Sequence, residues 1–321
     1  PSDIDNGSSD NCTVASLSLD NSSFTCADEG ANTVILTVTD QTGNSSTASA
    51  TVMVIDTVSP TAVCQNITVY LDGAGQATIS TADIDAGSTD NCSVQSLDID
   101  NASFTCADEG ANTVTLTVTD QAGNQSTCTS TVTVVDTIPP TAVCQNLTIY
   151  LDASGAASIT AADMDNGSSD NCTVSSLSLT KSNFSCADLG SNTVVLTVTD
   201  QAGNASTCAA TVTVMDTIAP TALSQNLTIY LDGNGAASIT ANDADNGSSD
   251  NCSIVSRTVS QTNYGCSDLG ANTISFTILD QSGNQSSSNF TVTVIDTISP
   301  TISTRSHTVY LDASGNASID V

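Results

Sequence analysis

The sequence predicts an all-β protein, a tandem array of disulfide-stapled, immunoglobulin-like β-sandwich modules joined by short Pro-containing linkers. Three observations carry this. The tripeptide DNC recurs at Asp10, Asp90, Asp170 and Asp250, at one constant interval. Apolar residues come in short alternating runs such as VTLTVT at 114–119, the period of half-buried strands. The runs are broken by turn sequences such as LDGAG, DEGAN and DQAGN.

Boundaries fall at DTVSPT (56–61) and its copies DTIPPT (136–141), DTIAPT (216–221) and DTISPT (296–301), which hold five of the six prolines. Proline lacks an amide donor and fixes φ, which suits a stiff connector better than a strand interior. Complete modules are expected at 57–136, 137–216 and 217–296, with the C-terminal part of a repeat at 1–56 and the N-terminal part of another at 297–321. Within 57–136, extended segments are expected near 64–71, 76–80, 92–99, 102–106, 112–119 and 126–135. Six or seven short strands per repeat suit a small immunoglobulin-like sandwich.

Cysteines occupy two kinds of position. Cys12/Cys26, Cys92/Cys106, Cys172/Cys186 and Cys252/Cys266 are always present together at the same short separation, and each couple is expected to pair locally: Cys12–Cys26, Cys92–Cys106, Cys172–Cys186 and Cys252–Cys266. The second kind is lost jointly, because Ser224 and Ser288 stand where other repeats have Cys64 and Cys128 or Cys144 and Cys208. Joint loss within one repeat argues for Cys64–Cys128 and Cys144–Cys208. Repeat 217–296 also carries Phe276 and Phe290 where other repeats have Leu or small residues, and extra aromatic burial is expected to compensate for its missing bridge. Zinc ligation is disfavoured, since there is no CxxC and no histidine at ligand spacing. Disulfides imply an oxidising, extracellular compartment.

The formal net charge is −31, with Lys181, Arg257 and Arg305 the only basic side chains apart from His307. Nucleic acid and anionic membrane surfaces are excluded as partners by that balance, and no run of about 20 apolar residues is present to span a bilayer. Catalysis starts from a deficit of acid–base groups. The acidic residues gather at turns, most densely in DIDAGSTDN, where Asp83, Asp85 and Asp90 lie among Gly, hydroxyl and amide groups. Hard oxygen donors on a glycine-bent loop suit calcium. The expected cation ligands are Asp83, Asp85 and Asp90, their copies Asp163, Asp165, Asp170, Asp243, Asp245 and Asp250, and the linker residues Asp136 and Asp216. The competing reading of these aspartates is Asx-turns closed on their own backbone. Tyr70, Tyr150, Tyr230 and Tyr310 are read as core edges with the hydroxyl at the rim.

The pattern PTAVCQNITVYLD, DIDAGSTDNCSVQSL and FTCADEGANTVTLTVTDQAGNQSTCTSTVTVVD resembles the hyalin-type (HYR-like), immunoglobulin-like repeats of giant Bacteroidota surface proteins, which include SprB-type gliding adhesins exported by type 9 secretion. The resemblance covers essentially the whole chain. It implies a non-enzymatic stalk of a cell-surface filament, with neighbouring repeats as its partners here and surface polysaccharide or other cells met by other regions. It also implies O-glycosylation at Asp-Thr-hydrophobic tripeptides, marking Thr57, Thr137, Thr217 and Thr297. Calcium at the linkers would lock adjacent repeats. The alternative function is a set of calcium-dependent carbohydrate- or protein-binding modules.

Overall fold

The computed structural model describes residues 1–320. Residues 1–56 hold β1 (Val14–Leu19), β2 (Gly30–Asp40) and β3 (Ser45–Val54). Residues 57–136 hold β4 (Ile67–Tyr70), β5 (Gln76–Thr78), α1 (Thr81–Ile84), β6 (Val94–Ile99), β7 (Ser103–Thr105), β8 (Gly110–Asp120) and β9 (Gln125–Val135). The next repeat follows the same order with β10 (Leu147–Tyr150), β11 (Ala156–Ser158), α2 (Ala161–Met164), β12 (Val174–Leu179), β13 (Asn183–Ser185), β14 (Gly190–Asp200) and β15 (Ala205–Met215). The last full set is β16 (Leu227–Tyr230), β17 (Ala236–Ser238), α3 (Ala241–Ala244), β18 (Ile254–Val259), β19 (Asn263–Gly265), β20 (Gly270–Asp280) and β21 (Gln285–Ile295). The chain is all-β, built of repeated immunoglobulin-like β-sandwich modules. Its backbone divides into two compact units: Pro1–Val143 with Gly167–Ser178 and Thr197–Thr207, and Cys144–Asn166 with Leu179–Leu196 and Cys208–Val321.

In the first unit a four-stranded sheet runs β4-β9-β8-β6 and faces a two-stranded sheet β5-β7. β4 runs parallel to β9, with Ile67 opposite Val132, and β8 and β9 form an antiparallel hairpin with Leu116 opposite Cys128. The second unit repeats this as β16-β21-β20-β18 and β17-β19. Alternation decides which side chains meet. Val114, Leu116 and Val118 of β8 and Val132 and Val134 of β9 are fully buried and pack on Ile84, Phe104, Leu71 and Ile79, while the intervening threonines face outward. Tyr70, Tyr150 and Tyr230 fall on the outward phase of edge strands and are about 60% exposed (62%, 58% and 59%), so they are surface groups rather than the core edges expected.

The same alternation does something less usual at the strand ends. Two residues beyond Val118 the inward position is Asp120, and two residues beyond Val134 it is Asp136; both are buried. Pairing places these residues at opposite poles of the repeat, because Val94 opposes Asp120 and Gly110 opposes Val134.

Among the described residues five disulfides are present: Cys64–Cys128, Cys144–Cys208, Cys26–Cys92, Cys106–Cys172 and Cys186–Cys252. The first two lie inside one repeat. The other three correct the expected local pairs. Cys12–Cys26, Cys92–Cys106, Cys172–Cys186 and Cys252–Cys266 do not form; instead Cys26, Cys106 and Cys186, each just before the first long strand of its hairpin, bond to the DNC cysteine of the next repeat, at a sequence separation of 66. The reason is geometric. Cys92 precedes β6 at the Asp120 pole, whereas Cys106 precedes β8 at the Gly110 pole. The length of β8, about 33 Å at ~3.3 Å per residue, separates the two poles, far beyond the Cα separation of about 5–6 Å that a disulfide spans. Among the described residues, Cys12 and Cys266 are exposed and unbonded.

Candidate cation site at the repeat junctions

The aspartate trio of DIDAGSTDN separates into three roles. Asp83 caps α1, since Ser80 donates its backbone N–H and its hydroxyl to Asp83 Oδ2 at 2.6 and 2.7 Å. Asp163 and Asp243 do the same for Thr160 and Thr240. The backbone and side-chain bonds from Ser80 hold the Asp83 carboxyl below its ordinary pKa. Asp85 Oδ1 accepts the N–H and hydroxyl of Ser88 at 3.0 and 2.6 Å, and the Ser88 hydroxyl is the main cause of its lowered pKa. Asp245 accepts the N–H of Ser248 at 2.9 Å and the Nε–H of Arg257 at 3.0 Å. Asp165 holds the corresponding position after α2. Asp83, Asp85, Asp163, Asp243 and Asp245 thus close turns on their own repeat.

The third member behaves differently. Asp90, Asp170 and Asp250 each accept the N–H of the DNC cysteine on Oδ2, at 2.8, 2.9 and 3.0 Å. Their Oδ1 atoms are buried without a hydrogen-bond partner. Each meets the linker aspartate of the same junction: Asp56 with Asp90, Asp136 with Asp170, and Asp216 with Asp250, with carboxylate oxygens within 4.8 Å. Asp280, the inward end of β20, joins the Asp216 and Asp250 group.

Two asparagines organise the junction. Asn171 donates Nδ2 to Asp136 Oδ1 at 3.2 Å and to the Asp72 carbonyl at 3.3 Å; Asn251 does the same to Asp216 Oδ1 at 3.1 Å and the Asp152 carbonyl at 3.2 Å. The Oδ1 atoms of both asparagines are buried and unpartnered. From the other side, Asn124, Asn204 and Asn284 donate to the backbone carbonyls of Asp56, Asp136 and Asp216 at 3.1 to 3.2 Å. The same asparagines bind Asp120, Asp200 and Asp280 through backbone and side-chain N–H groups.

The staple shares this ground. Cys106 Sγ lies 3.7 Å from the Asn171 carbonyl, and Cys186 Sγ lies 3.5 Å from that of Asn251. The approach requires glycine in the preceding turn. Gly155 has φ +74°, and a Cβ there would stand 2.6 Å from the Asn251 carbonyl oxygen and 2.7 Å from Cys186 Sγ. Gly75 meets Cys106 and Asn171 in the same way.

The donors at the Asp216 junction fit a hard divalent cation. Asp216 is 5% exposed, and its Oδ2, the Oδ1 of Asp250 and the Oδ1 of Asn251 are all buried and unpartnered. Three carboxylates converging in a poorly hydrated place repel one another unless a cation lies among them. All these donors are oxygen, which calcium prefers. At the Asp56 and Asp136 junctions the third group in reach is the sulfur of Cys92 or Cys172; each is locked in a disulfide, which leaves two carboxylates as the hard oxygen donors of each group, joined at the Asp136 junction by the unpartnered Asn171 Oδ1. Of the residues expected from the sequence, Asp90, Asp136, Asp170, Asp216 and Asp250 are brought into these groups. Asp56, Asp280, Asn171 and Asn251 were not among the expected ligands. The signal for Asp280 lay in the alternation, which carries FTILD inward to its final residue.

Comparison with known proteins agrees with the repeats. The HYR domain family profile matches residues 135–214, and the profile of a bacterial Ig-like domain matches residues 20–137. The chain thus carries HYR/Ig-like repeats. No curated protein sequence matches it. Similar solved structures include protocadherin γB7 extracellular cadherin domains 1–4, at 11% identity over 84% of each chain and a TM-score of 0.30. Drosophila N-cadherin EC1–4 gives 11% identity, 84% of each chain and 0.29. Titin domains I67–I69, an E-to-A variant, give 9% identity over 74% of this chain and 98% of that one, at 0.30. The disulfides point to an oxidising, extracellular compartment, and repeats of this kind are typically non-catalytic. No helix among the described residues is long and apolar enough to cross a membrane.

Proposed function

We propose that the chain is a spacer segment of a cell-surface adhesin, in which each junction between repeats is fixed twice, by a disulfide and by a calcium ion. The observation that carries this is the buried, unpartnered oxygens of Asp216, Asp250 and Asn251 beside the Cys186–Cys252 bond. A staple and a cation acting at one junction restrict the hinge that a short linker would otherwise leave free. The use of one arrangement at Asp56, Asp136 and Asp216 suits a spacer, whose task is the same at every repeat. Module boundaries at 57–136, 137–216 and 217–296 follow from this reading, because each linker aspartate is then the last residue of its repeat.

Within this reading the functional counterpart is the stalk of a SprB-type gliding adhesin exported by type 9 secretion, attaching to surface polysaccharide or other cells through regions beyond these repeats. Thr57, Thr137, Thr217 and Thr297 are all exposed, which leaves each open to O-glycosylation. Small-angle scattering of the oxidised chain with calcium and then with chelator tests the spacer reading. A smaller radius of gyration on chelation is expected; an unchanged profile would mean that no cation acts on the junctions.

A second reading, calcium-dependent carbohydrate binding, is favoured by one observation, the outward Tyr70, Tyr150 and Tyr230 at equal spacing. Specific, calcium-dependent retention on a glycan array would support it, and a Tyr150→Ala variant retained equally would remove the role of the tyrosines.

A further inference from the structure

We infer that the disulfide and the cation site of each junction are reciprocally linked: the closed staple raises calcium affinity, and bound calcium protects that staple from reduction. The inference rests on the calcium reading above and adds to it a redox control of the same site.

The argument starts from three consecutive residues. Asp170 supplies the buried, unpartnered oxygen, Asn171 ties the linker Asp136 by its side-chain amide, and Cys172 carries the staple. They are not independent, because the Cys172 N–H is bound by Asp170 Oδ2 at 2.9 Å and the Asn171 carbonyl faces Cys106 Sγ at 3.7 Å. The second junction repeats every link: Cys252 N–H to Asp250 Oδ2 at 3.0 Å, Asn251 Nδ2 to Asp216 Oδ1 at 3.1 Å, and Cys186 Sγ by the Asn251 carbonyl at 3.5 Å. The independent sign of a ligand is Asp216, buried yet with Oδ2 unpartnered and aimed among the carboxylates.

A cation must collect donors from the end of one repeat and the start of the next. With the staple closed those donors are already together. With it open, binding must also supply the entropy of docking the two repeats, which weakens it. Linkage then requires the converse, since a state that binds calcium better is favoured when calcium is bound. The Cys64–Cys128 bond provides an internal reference. It joins β9 to the segment beside α1 within one repeat and packs against the core, and it shares no residue with any junction group.

The test uses the whole oxidised chain, exposed to dithiothreitol with calcium or with chelator, and reads each disulfide by alkylation and peptide mass spectrometry. In each reduction dithiothreitol donates two electrons and two protons to the S–S bond, yielding two protein thiols and its own cyclic disulfide. Calcium is expected to lower the reduction of Cys106–Cys172 and Cys186–Cys252 by about tenfold, within the usual range of site–site coupling, and to leave Cys64–Cys128 nearly unchanged. Asp216→Asn should remove the protection of Cys186–Cys252 alone. Equal protection of all three bonds, or protection of Cys186–Cys252 that survives Asp216→Asn, would overturn the linkage while leaving calcium binding intact. A calorimetric titration of the same oxidised sample separates the remaining case: no calcium binding there would overturn the calcium reading itself, and the linkage with it.

Discussion

Asn251 donates its side-chain amide to Asp216 Oδ1 at 3.1 Å and leaves Asp216 Oδ2 buried with no partner. One oxygen of the linker carboxylate is thus fixed by the next repeat while the other faces Asp250 and Asp280. Asp216→Asn is expected to abolish calcium binding at this junction, and in chelator to leave the chain at least as stable as the wild type, because it relieves repulsion among three carboxylates. Paired thermal melts with and without calcium check both signs.

The turn glycines that admit the staple give a second prediction. Gly155→Ala places a methyl 2.6 Å from the Asn251 carbonyl and 2.7 Å from Cys186 Sγ, at φ +74°. Backbone strain of that kind costs about 1–3 kcal/mol, and the clash should leave Cys186 and Cys252 partly as thiols. Gly167→Ala has a positive φ but nothing within 4 Å, so it should carry the strain and keep every disulfide. Counting free thiols in the two variants distinguishes them.

Ser224 and Ser288 keep the geometry of the bridge that their positions lack. Ser288 and Ser224 hydroxyls lie 2.8 Å apart, and Phe276, fully buried, stands opposite Ser288 where Leu116 stands opposite Cys128. The larger ring, with Phe290 and Tyr264 in the same cluster, fills this core. Ser224→Cys with Ser288→Cys should form a disulfide and stabilise the chain by about 2–4 kcal/mol, read as a rise in denaturation midpoint that reduction removes.

Acid should loosen the turns first. The carboxyls of Asp83, Asp163 and Asp243 lie below their ordinary pKa, held there chiefly by backbone and hydroxyl donors of Ser80, Thr160 and Thr240. Asp40, bound mainly by the Asn44 side chain and backbone, is lowered to about 2. A carboxylate with a depressed folded pKa contributes its full stability above the unfolded value of about 3.9 and loses it as pH falls through the folded one. Stability from these turns should be flat above about pH 5 and decline between roughly pH 4 and 2, followed by circular dichroism in chelator. Asp163→Ala should lower the melting temperature without changing calcium stoichiometry, since its carboxylate is engaged by Thr160.

Strands were the most legible part of the sequence, because alternation and turn residues report a local property. The segment expected at 112–119 is the body of β8, and that at 126–135 matches β9 within one residue. The short helix α1 was hidden within a loop reading, since four residues carry no period and only the cap from Ser80 to Asp83 reveals it. The long disulfides could be inferred because their cysteines vanish together. The other cysteines never vanish, so spacing alone suggested local pairs, and only the strand lengths between them forbid those pairs. The cation groups were half legible for the same reason. Asp90 and Asp136 stood out by composition, but proximity in sequence joined Asp90 to Asp83 and Asp85, whereas folding turns those two inward on their own turns and carries Asp90 to Asp56.

The most direct test of the cation-bound junction is a calorimetric titration of calcium into the oxidised, chelator-stripped chain. Binding at the three junction groups, reduced by one equivalent in Asp216→Asn and unchanged in Asp163→Ala, is the expected result. A titration without binding heat at two temperatures, or binding lost in Asp163→Ala and kept in Asp216→Asn, would contradict it.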